Sequence, residues 1–174
     1  MDQHVLMLRA VNVSGRNRVP MAELKTALDT AGFTGVRTYL QTGNIIVNAT
    51  DEASAAATTV TNLIKATFSV DTTVFVRTRA EFRALIDTNP YPDAQQNQSG
   101  VVFVDDVAAV ELDADRFMPD TARRSPSGDL FVHCPTGFGQ TRLTVSWIEK
   151  TLGCSGTRRN WRTILKIAEL MRAD

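Results

Sequence analysis

The sequence has few of the residues that build metal centres, disulfide frameworks or membrane anchors. Its 174 residues include two cysteines, Cys134 and Cys154, and two histidines, His4 and His133, with no Cys-x-x-Cys motif. Structural zinc sites typically take paired ligands such as Cys-x-x-Cys, and no such pair occurs, so we predict neither a metal site nor a cofactor, and we expect both cysteines to be small buried hydrophobes. No apolar stretch reaches 18 residues, and the first apolar run ends at Arg9, which argues against a membrane span and a signal peptide. We therefore expect a cytoplasmic protein.

Motifs of the common nucleotide-binding folds are missing as well. The sequence contains neither Gly-x-x-x-x-Gly-Lys nor Gly-x-Gly-x-x-Gly, which argues against nucleotide binding by those routes. The stretch PTGFGQTR, residues 135–142, places two glycines ahead of a predicted helix, and we interpret it as a glycine turn rather than a phosphate loop. The polar clusters described below hold no carboxylate, histidine or cysteine. Amides, hydroxyls and guanidinium groups are poor general acids and bases near neutral pH, so no catalytic residue is identified.

Charged residues, by contrast, are abundant and unevenly distributed. The formal net charge is zero, yet residues 1–50 carry a net charge of +2, residues 51–120 of −7 and residues 121–174 of +5. If the two basic ends meet in space, they form a surface that attracts anions. The alternative is that the basic ends pair with the acidic middle, within the chain or across a homodimer.

Apolar periodicity predicts a ferredoxin-like first half. It indicates the order strand, helix, strand, strand, helix, strand up to residue 77. This is the split βαβ pattern, in which both helices cover one face of a four-stranded antiparallel sheet. The predicted strands are residues 5–11, 36–41, 45–47 and 73–76, and the predicted helices begin at Pro20 and near Thr50 and Asp51.

A second, smaller half with both helices and strands follows. A capping box from Thr78 to Glu81 begins a third helix, and the segment NPYP at 89–92 ends it ahead of a polar linker. We therefore predict an α+β fold, with a ferredoxin-like subdomain at residues 1–90 and a second α+β subdomain at residues 91–174 packed against it. Two such halves in succession also suggest a structural duplication. The elements predicted in the second half are strands at 101–104 and 130–132, a helix at 143–152 and a final helix around Trp161.

Three sequence blocks resemble a known family. They are LRAVNVSGRNRVPMAEL, VRTYLQTGNIIV and GTRRNWRTILKIAEL, and their order and spacing are similar to those of the domain of unknown function 1697 family, a group of uncharacterised bacterial proteins. The likeness covers nearly the whole chain. This sequence departs from the usual pattern at Ser14, where glycine is usual, at Thr42, where serine is usual, and at Arg158, where alanine is common. The resemblance implies an α+β fold with ferredoxin-like parts, and it implies no established activity.

Polar side chains that suit ligand binding gather in three segments. The first is the loop after the first strand. The second is a hairpin predicted from the turn TGN, residues 42–44, between the strands at 36–41 and 45–47. The third precedes the last helix. From the strand order we expect the loop at Asn12 and the hairpin at Asn44 to lie at opposite ends of the sheet. The ligand-binding candidates are Arg9, Asn12, Arg16 and Arg18 in the first segment, Tyr39, Gln41 and Asn44 in the second, and Arg158, Arg159 and Asn160 in the third.

Two pairs of arginines stand where a helix disfavours them. Arg16 and Arg18 precede the first helix. Arg158 and Arg159 are predicted to start the last helix, after an N-cap at Thr157. A cation at a helix N-terminus is unfavourable by about 0.3–1 kcal/mol, and a bound anion would offset that cost through the guanidinium groups and the free backbone N–H groups. The alternative partners are carboxylates of the acidic middle segment, or water alone.

These observations support one leading interpretation and two alternatives. The leading one is a cytoplasmic binding module for a phosphate-bearing small molecule, such as a nucleotide, or for RNA. In this interpretation the four arginines hold the charge, while Asn12 and Asn160 orient the ligand. The second is an enzyme with an unrecognised active site at the junction of the subdomains, with Tyr39, Asp106 or His133 involved. The third is a homodimeric interaction protein.

Overall fold

The computed structural model of the protein describes residues 2–48, 52–105 and 112–172. The chain divides into two compact units: unit 1 comprises residues 1–82 and 169–174, and unit 2 comprises residues 83–168. Each unit contains a four-stranded antiparallel sheet. The predicted α+β fold is therefore confirmed.

Unit 1 has the strand order of a ferredoxin-like fold. Its elements are β1 (Gln3–Leu8), α1 (Met21–Thr30), β2 (Arg37–Tyr39), β3 (Asn44–Asn48), α2 (Ala53–Phe68) and β4 (Val74–Thr78), followed by α3 (Arg79–Asp87), which continues into unit 2. The sheet runs β2-β3-β1-β4, with β1 antiparallel to both of its neighbours. The first half of the sequence predicted this fold from its apolar periodicity and turn signals.

The core of unit 1 lies between one face of this sheet and the two helices α1 and α2. Leu6, Leu24 and Ile64 are completely buried there, and burying each such side chain stabilises the fold by about 1.5–3 kcal/mol. The alternate residues of the central strand, Val5 and Met7, are completely buried as well. This sheet therefore offers no exposed central strand on which the bases of an RNA could stack.

Unit 2 repeats the strand order of unit 1. Its elements are β5 (Ser99–Val104), a short 3-10 helix (Asp115–Phe117), β6 (Thr121–Arg124), β7 (Leu130–His133), α4 (Val145–Leu152) and β8 (Gly156–Asn160), followed by α5 (Trp161–Arg172), which belongs to unit 1 from residue 169 onward. The sheet runs β6-β7-β5-β8, so the first strand of the unit again lies between the hairpin and the last strand. The core contains Val102, Leu130 and Ile148. The repeated order supports the interpretation as a structural duplication.

The starts of α1 and α3 follow the sequence signals closely. The capping box at α3 is confirmed, because the backbone N–H of Thr78 donates to Glu81 Oε2 at 2.8 Å and the N–H of Glu81 donates to Thr78 Oγ1 at 3.2 Å. Pro20 occupies the N-cap of α1, one residue before the helix begins. Thr50 and Asp51 lie outside the described residues, and α2 begins at Ala53. Among the helices described, none is long and apolar enough to cross a membrane.

The predicted end of the first strand and the predicted start of the last helix are wrong. The first strand ends at Leu8 instead of residue 11, because Ala10 and Asn12 adopt positive φ angles of 51° and 54° that no strand accommodates. The segment predicted as the start of the last helix is the strand β8, and α5 begins only at Trp161. The side chain of Asn160 caps α5 by accepting from the N–H of Thr163 at 2.9 Å.

Candidate anion-binding site

The loop between β1 and α1 has an unusual backbone. Four of its non-glycine residues hold positive φ angles: Ala10 at 51°, Asn12 at 54°, Ser14 at 52° and Asn17 at 50°. For residues other than glycine the left-handed region costs about 1–2 kcal/mol each, less for asparagine. Such strain persists only where surrounding contacts impose it, and it concentrates at ligand-binding and catalytic sites. The backbone of this loop therefore marks it as a candidate functional segment.

The Asn12 side chain holds this loop in shape. Its Nδ2 donates to the carbonyl oxygens of Val19 at 2.8 Å and of Gln41 at 2.7 Å, and its Oδ1 accepts from the N–H of Val19 at 2.8 Å. Asn17 adds a second link, since its Nδ2 donates to the carbonyl of Ala10 at 3.0 Å. Asn12 thus closes the loop and attaches it to the β2–β3 turn. We call residues 9–20 and 40–43 together the loop cluster.

The tip of the loop is a tight hairpin that carries the arginines. The N–H of Arg16 donates to the carbonyl of Val13 at 3.0 Å, and both central residues, Ser14 and Gly15, have positive φ, as a type I′ turn requires. Arg16 and Arg18 are exposed. Neither forms an ion pair with any residue in the described ranges. The guanidinium charges at the tip are therefore available to a ligand.

The β2–β3 turn contributes the other half of the loop cluster. Leu40 has a positive φ of 58° and is 49% exposed. Gly43 packs so closely that a Cβ there would lie 2.7 Å from Leu8 Cβ. Asn44 is completely buried and its Nδ2 donates to the carbonyl of Tyr39 at 2.8 Å. Asn44 therefore supports the turn from inside the unit.

The expectation that Asn12 and Asn44 lie at opposite ends of the sheet is wrong. Because β1 and β3 are antiparallel, the end of β1 lies beside the start of β3, and Met7 pairs with Asn44. The first and second predicted segments consequently meet at one end of unit 1. This juxtaposition is what makes the two loops one candidate site.

The remaining candidates of unit 1 lie within the loop cluster or next to it. Tyr39 is half-buried on the edge strand β2, and Gln41 is exposed beside it. Arg9 is half-buried, its N–H donates to the carbonyl of Thr73 at 3.0 Å, and its own carbonyl accepts from Thr72 Oγ1 at 2.7 Å. The backbone at Arg9 thus anchors the base of the loop.

The third predicted segment lies in unit 2 and has a different character. Arg158 places its guanidinium 4.0 Å from the centre of the Phe138 ring, and burial lowers its pKa. Arg159 is buried, donates to Thr157 Oγ1 at 2.8 Å and to the carbonyl of Arg158 at 2.9 Å, and burial lowers its pKa to about 10. Both lie on β8 and not in the first turn of a helix, which corrects the prediction of a Thr157 N-cap. Asn160 uses its carboxamide oxygen to cap α5.

Side chains of chemically reactive types lie elsewhere in unit 2. His133 packs against Tyr91 with ring centroids 5.3 Å apart, and both line a pocket of about 510 Å³. Burial raises the pKa of the thiols of Cys134 and Cys154. Asp106 lies outside the described residues. Within residues 2–48, 52–105 and 112–172, no cluster of three or more histidine, cysteine or acidic side chains is arranged to hold a metal ion.

The PTGFGQTR segment forms successive turns. The N–H of Gly137 donates to the carbonyl of Cys134 at 2.8 Å, and the N–H of Gln140 donates to the carbonyl of Gly137 at 3.2 Å. These backbone donors are already used within the segment, which agrees with a glycine turn. The helix that follows starts at Val145 and is capped by Thr144.

Comparisons with known proteins agree with the fold. The family model described as a protein of unknown function, DUF1697, matches residues 1–125. No curated protein is significantly similar in sequence. The structure of a conserved bacterial protein from Streptococcus pneumoniae is similar with a TM-score of 0.67 and 18% sequence identity, over 98% of each chain. At that identity the likeness shows the fold alone.

Proposed function

The chain belongs to the DUF1697 family of proteins of unknown function, as its sequence blocks predicted, and we propose that it is a binding module for a phosphate-bearing ligand such as a nucleotide or RNA. The ligand occupies the loop cluster of unit 1. The observation that carries this proposal is the pair of exposed arginines, Arg16 and Arg18, on a backbone held in a costly conformation.

The charge at this place favours an anion. A guanidinium group offers paired N–H donors that match phosphate oxygens, and Arg16 and Arg18 lie within five residues of the start of α1 at Met21. No side chain caps that helix start, where Pro20 occupies the N-cap. The positive end of the helix dipole thus adds to the arginine charges, and a phosphate relieves their mutual repulsion.

The loop cluster also offers apolar contacts beside the charges. Val13 is 53% exposed and Leu40 is 49% exposed, and the hydrogen bond from Asn12 to Gln41 ties their two loops together. A base or sugar can pack on such side chains while the phosphate meets the arginines. Because the Asn12 contacts fix the loops in advance, little conformational entropy is lost on binding.

The second arginine pair, on β8, differs from the first in its contacts. Arg158 packs on Phe138, and Arg159 is buried within β8, so their contacts favour a role in holding the strand. We therefore assign the charge of the site to Arg16 and Arg18. A ligand role for Arg158, Arg159 and Asn160 remains a prediction of the sequence.

A fluorescence titration with a labelled nucleoside triphosphate and a labelled single-stranded RNA tests the proposal. The double variant R16Q/R18Q should weaken binding by about tenfold or more, equivalent to about 1.4 kcal/mol. The matched control R83Q/R123Q removes the same net charge from exposed arginines outside the loop cluster and should change the affinity less than twofold. Equal losses in both variants, or no binding to either probe, would refute the proposal.

A homodimer that pairs the basic ends with the acidic middle remains a separate prediction. Residues 51–120 carry a net charge of −7 and residues 121–174 of +5, and attraction between such segments weakens as salt screens them. Sedimentation at low and high salt tests it: a monomer at both salt concentrations removes the idea.

A further inference from the structure

A pocket of about 190 Å³ in unit 2 combines charges of both signs. It lies between the residues that follow the 3-10 helix and the PTGFGQTR turns. Its charged side chains are Arg116, Asp120 and Arg142, and Thr136 and Gln140 add polar groups. A pocket of this volume suits a small metabolite.

One carboxylate oxygen of Asp120, the acidic residue of the pocket, lacks a hydrogen-bond donor. Asp120 is only 6% exposed, and its Oδ2 accepts from Thr141 Oγ1 at 2.5 Å. The same Oγ1 accepts from the N–H of Leu143 at 2.9 Å, so the hydroxyl proton is directed at the carboxylate. The other carboxylate oxygen of Asp120, Oδ1, is buried and has no partner among the described residues. A buried carboxylate oxygen without a donor is unfavourable and rare, so it marks a place for a donor from outside the chain.

The basic members of the pocket are exposed. Arg116 lies 5.4 Å from the centre of the Phe117 ring, which restrains its guanidinium. Neither Arg116 nor Arg142 forms an ion pair with Asp120 in the described part of the chain. The wall of the pocket therefore contains a carboxylate with one buried oxygen that lacks a donor, together with two guanidinium groups.

We propose that this pocket binds a small molecule that carries both a protonated amine and an anionic group. The amine donates to Asp120 Oδ1, and the carboxylate or phosphate of the ligand is held by Arg116 and Arg142. Opposite charges on one small ligand match the opposite charges of the wall, whereas a simple anion would leave Asp120 without its donor. The residues are distinct from the loop cluster, so the two proposals succeed or fail separately.

Titration of the full-length protein with matched probes, followed through the backbone amide NMR signals of Thr136, Gln140 and Thr141, tests this inference. The probes are β-alanine, 4-aminobutanoate and phosphoethanolamine, with butanoate and butylamine as partners that each lack one group. The phosphate-bearing probe and the carboxylate-bearing probes distinguish the two anionic classes. We expect at least one doubly charged probe to bind about tenfold more tightly than butanoate or butylamine.

Two variants locate the contacts. D120N keeps the size of the side chain and should weaken the amino-bearing probe about tenfold while leaving butanoate unchanged, and R142Q should weaken every anionic probe. The control R123Q replaces an exposed arginine outside the pocket and should leave the affinity for every probe unchanged. If D120N fails to fold, the comparison of the three doubly charged probes with butanoate and butylamine on the wild-type protein decides alone. The inference is overturned if none of the three binds more tightly than butanoate and butylamine, or if no amino-bearing anion shifts these signals.

Discussion

At the scale of single residues, Asn12 holds the two loops of the loop cluster together. Its three hydrogen bonds go to the backbone of Val19 and Gln41. The contact with Gln41 spans 29 residues and exists only because β3 returns beside β1. No local sequence pattern contains that information, so this structural role of Asn12 could not be predicted from the sequence.

The Asn12 contacts predict a measurable loss of stability. Replacing Asn12 by glycine removes three hydrogen bonds while easing the positive φ, and should lower the free energy of unfolding by about 1.5–4 kcal/mol. Replacing it by alanine should cost about 1 kcal/mol more, because alanine is strained at φ 54°. Urea denaturation gives both values. An alanine variant as stable as the wild type would mean that the side chain does not hold the loop.

Cys134 yields a prediction about pH. Burial raises the pKa of its thiol above the ordinary value of 9.0, so on raising the pH the unfolded chain loses this proton before the folded chain does. The contribution of Cys134 to stability is therefore complete below pH 9.0 and decreases as the pH rises above it.

Alkylation measures the same property directly. In the folded protein at pH 8, Cys134 should react far more slowly than the half-buried Cys154, and both should react at similar rates in urea. The variant C154A isolates the slow thiol. Modification of native Cys134 as fast as in urea would contradict its burial.

At the scale of elements, the sequence predicted those with a strong apolar pattern and missed those without one. The capping box predicted the start of α3, and the apolar stripe predicted α1. Strand β8 has the sequence GTRRN, in which no apolar alternation exists, and its pairing with β5 makes it a strand. The order of elements in unit 1 could have predicted β8. A strand follows α2 in unit 1, so a duplicated unit requires a strand after α4.

Strand β8 depends on a glycine in its neighbour. A Cβ on Gly100 would lie 2.3 Å from the carbonyl oxygen of Arg159, so G100A should force β8 away from β5 and lower the free energy of unfolding by about 2–3 kcal/mol. G139A is the matched control, because a Cβ there meets nothing within 4 Å, and its effect should stay below about 1 kcal/mol. Urea denaturation followed by the fluorescence of Trp147 and Trp161 measures both. Similar stabilities for the two variants would show that the strands tolerate the extra methyl group.

At the scale of the whole molecule, periodicity predicted the α+β class and the first sheet, and the resemblance identified the family. The candidate site was predicted in part. Arg16 and Arg18 were correctly placed before the first helix, whereas Arg158 and Arg159 were assigned to a helix start that is a strand. Net charge along the sequence could not distinguish them, because burial and strand pairing decide which arginines reach solvent.

The salt dependence of RNA binding tests the central claim most directly. If Arg16 and Arg18 each neutralise one phosphate, a plot of the logarithm of the binding constant against the logarithm of salt concentration should have a slope of about −1.4 for a single strand. In R16Q/R18Q the slope should approach zero. Two results would contradict the assignment of phosphate binding to the loop cluster. One is a binding constant of the wild-type protein that does not change with salt concentration, and the other is the same slope in the wild-type protein and in R16Q/R18Q.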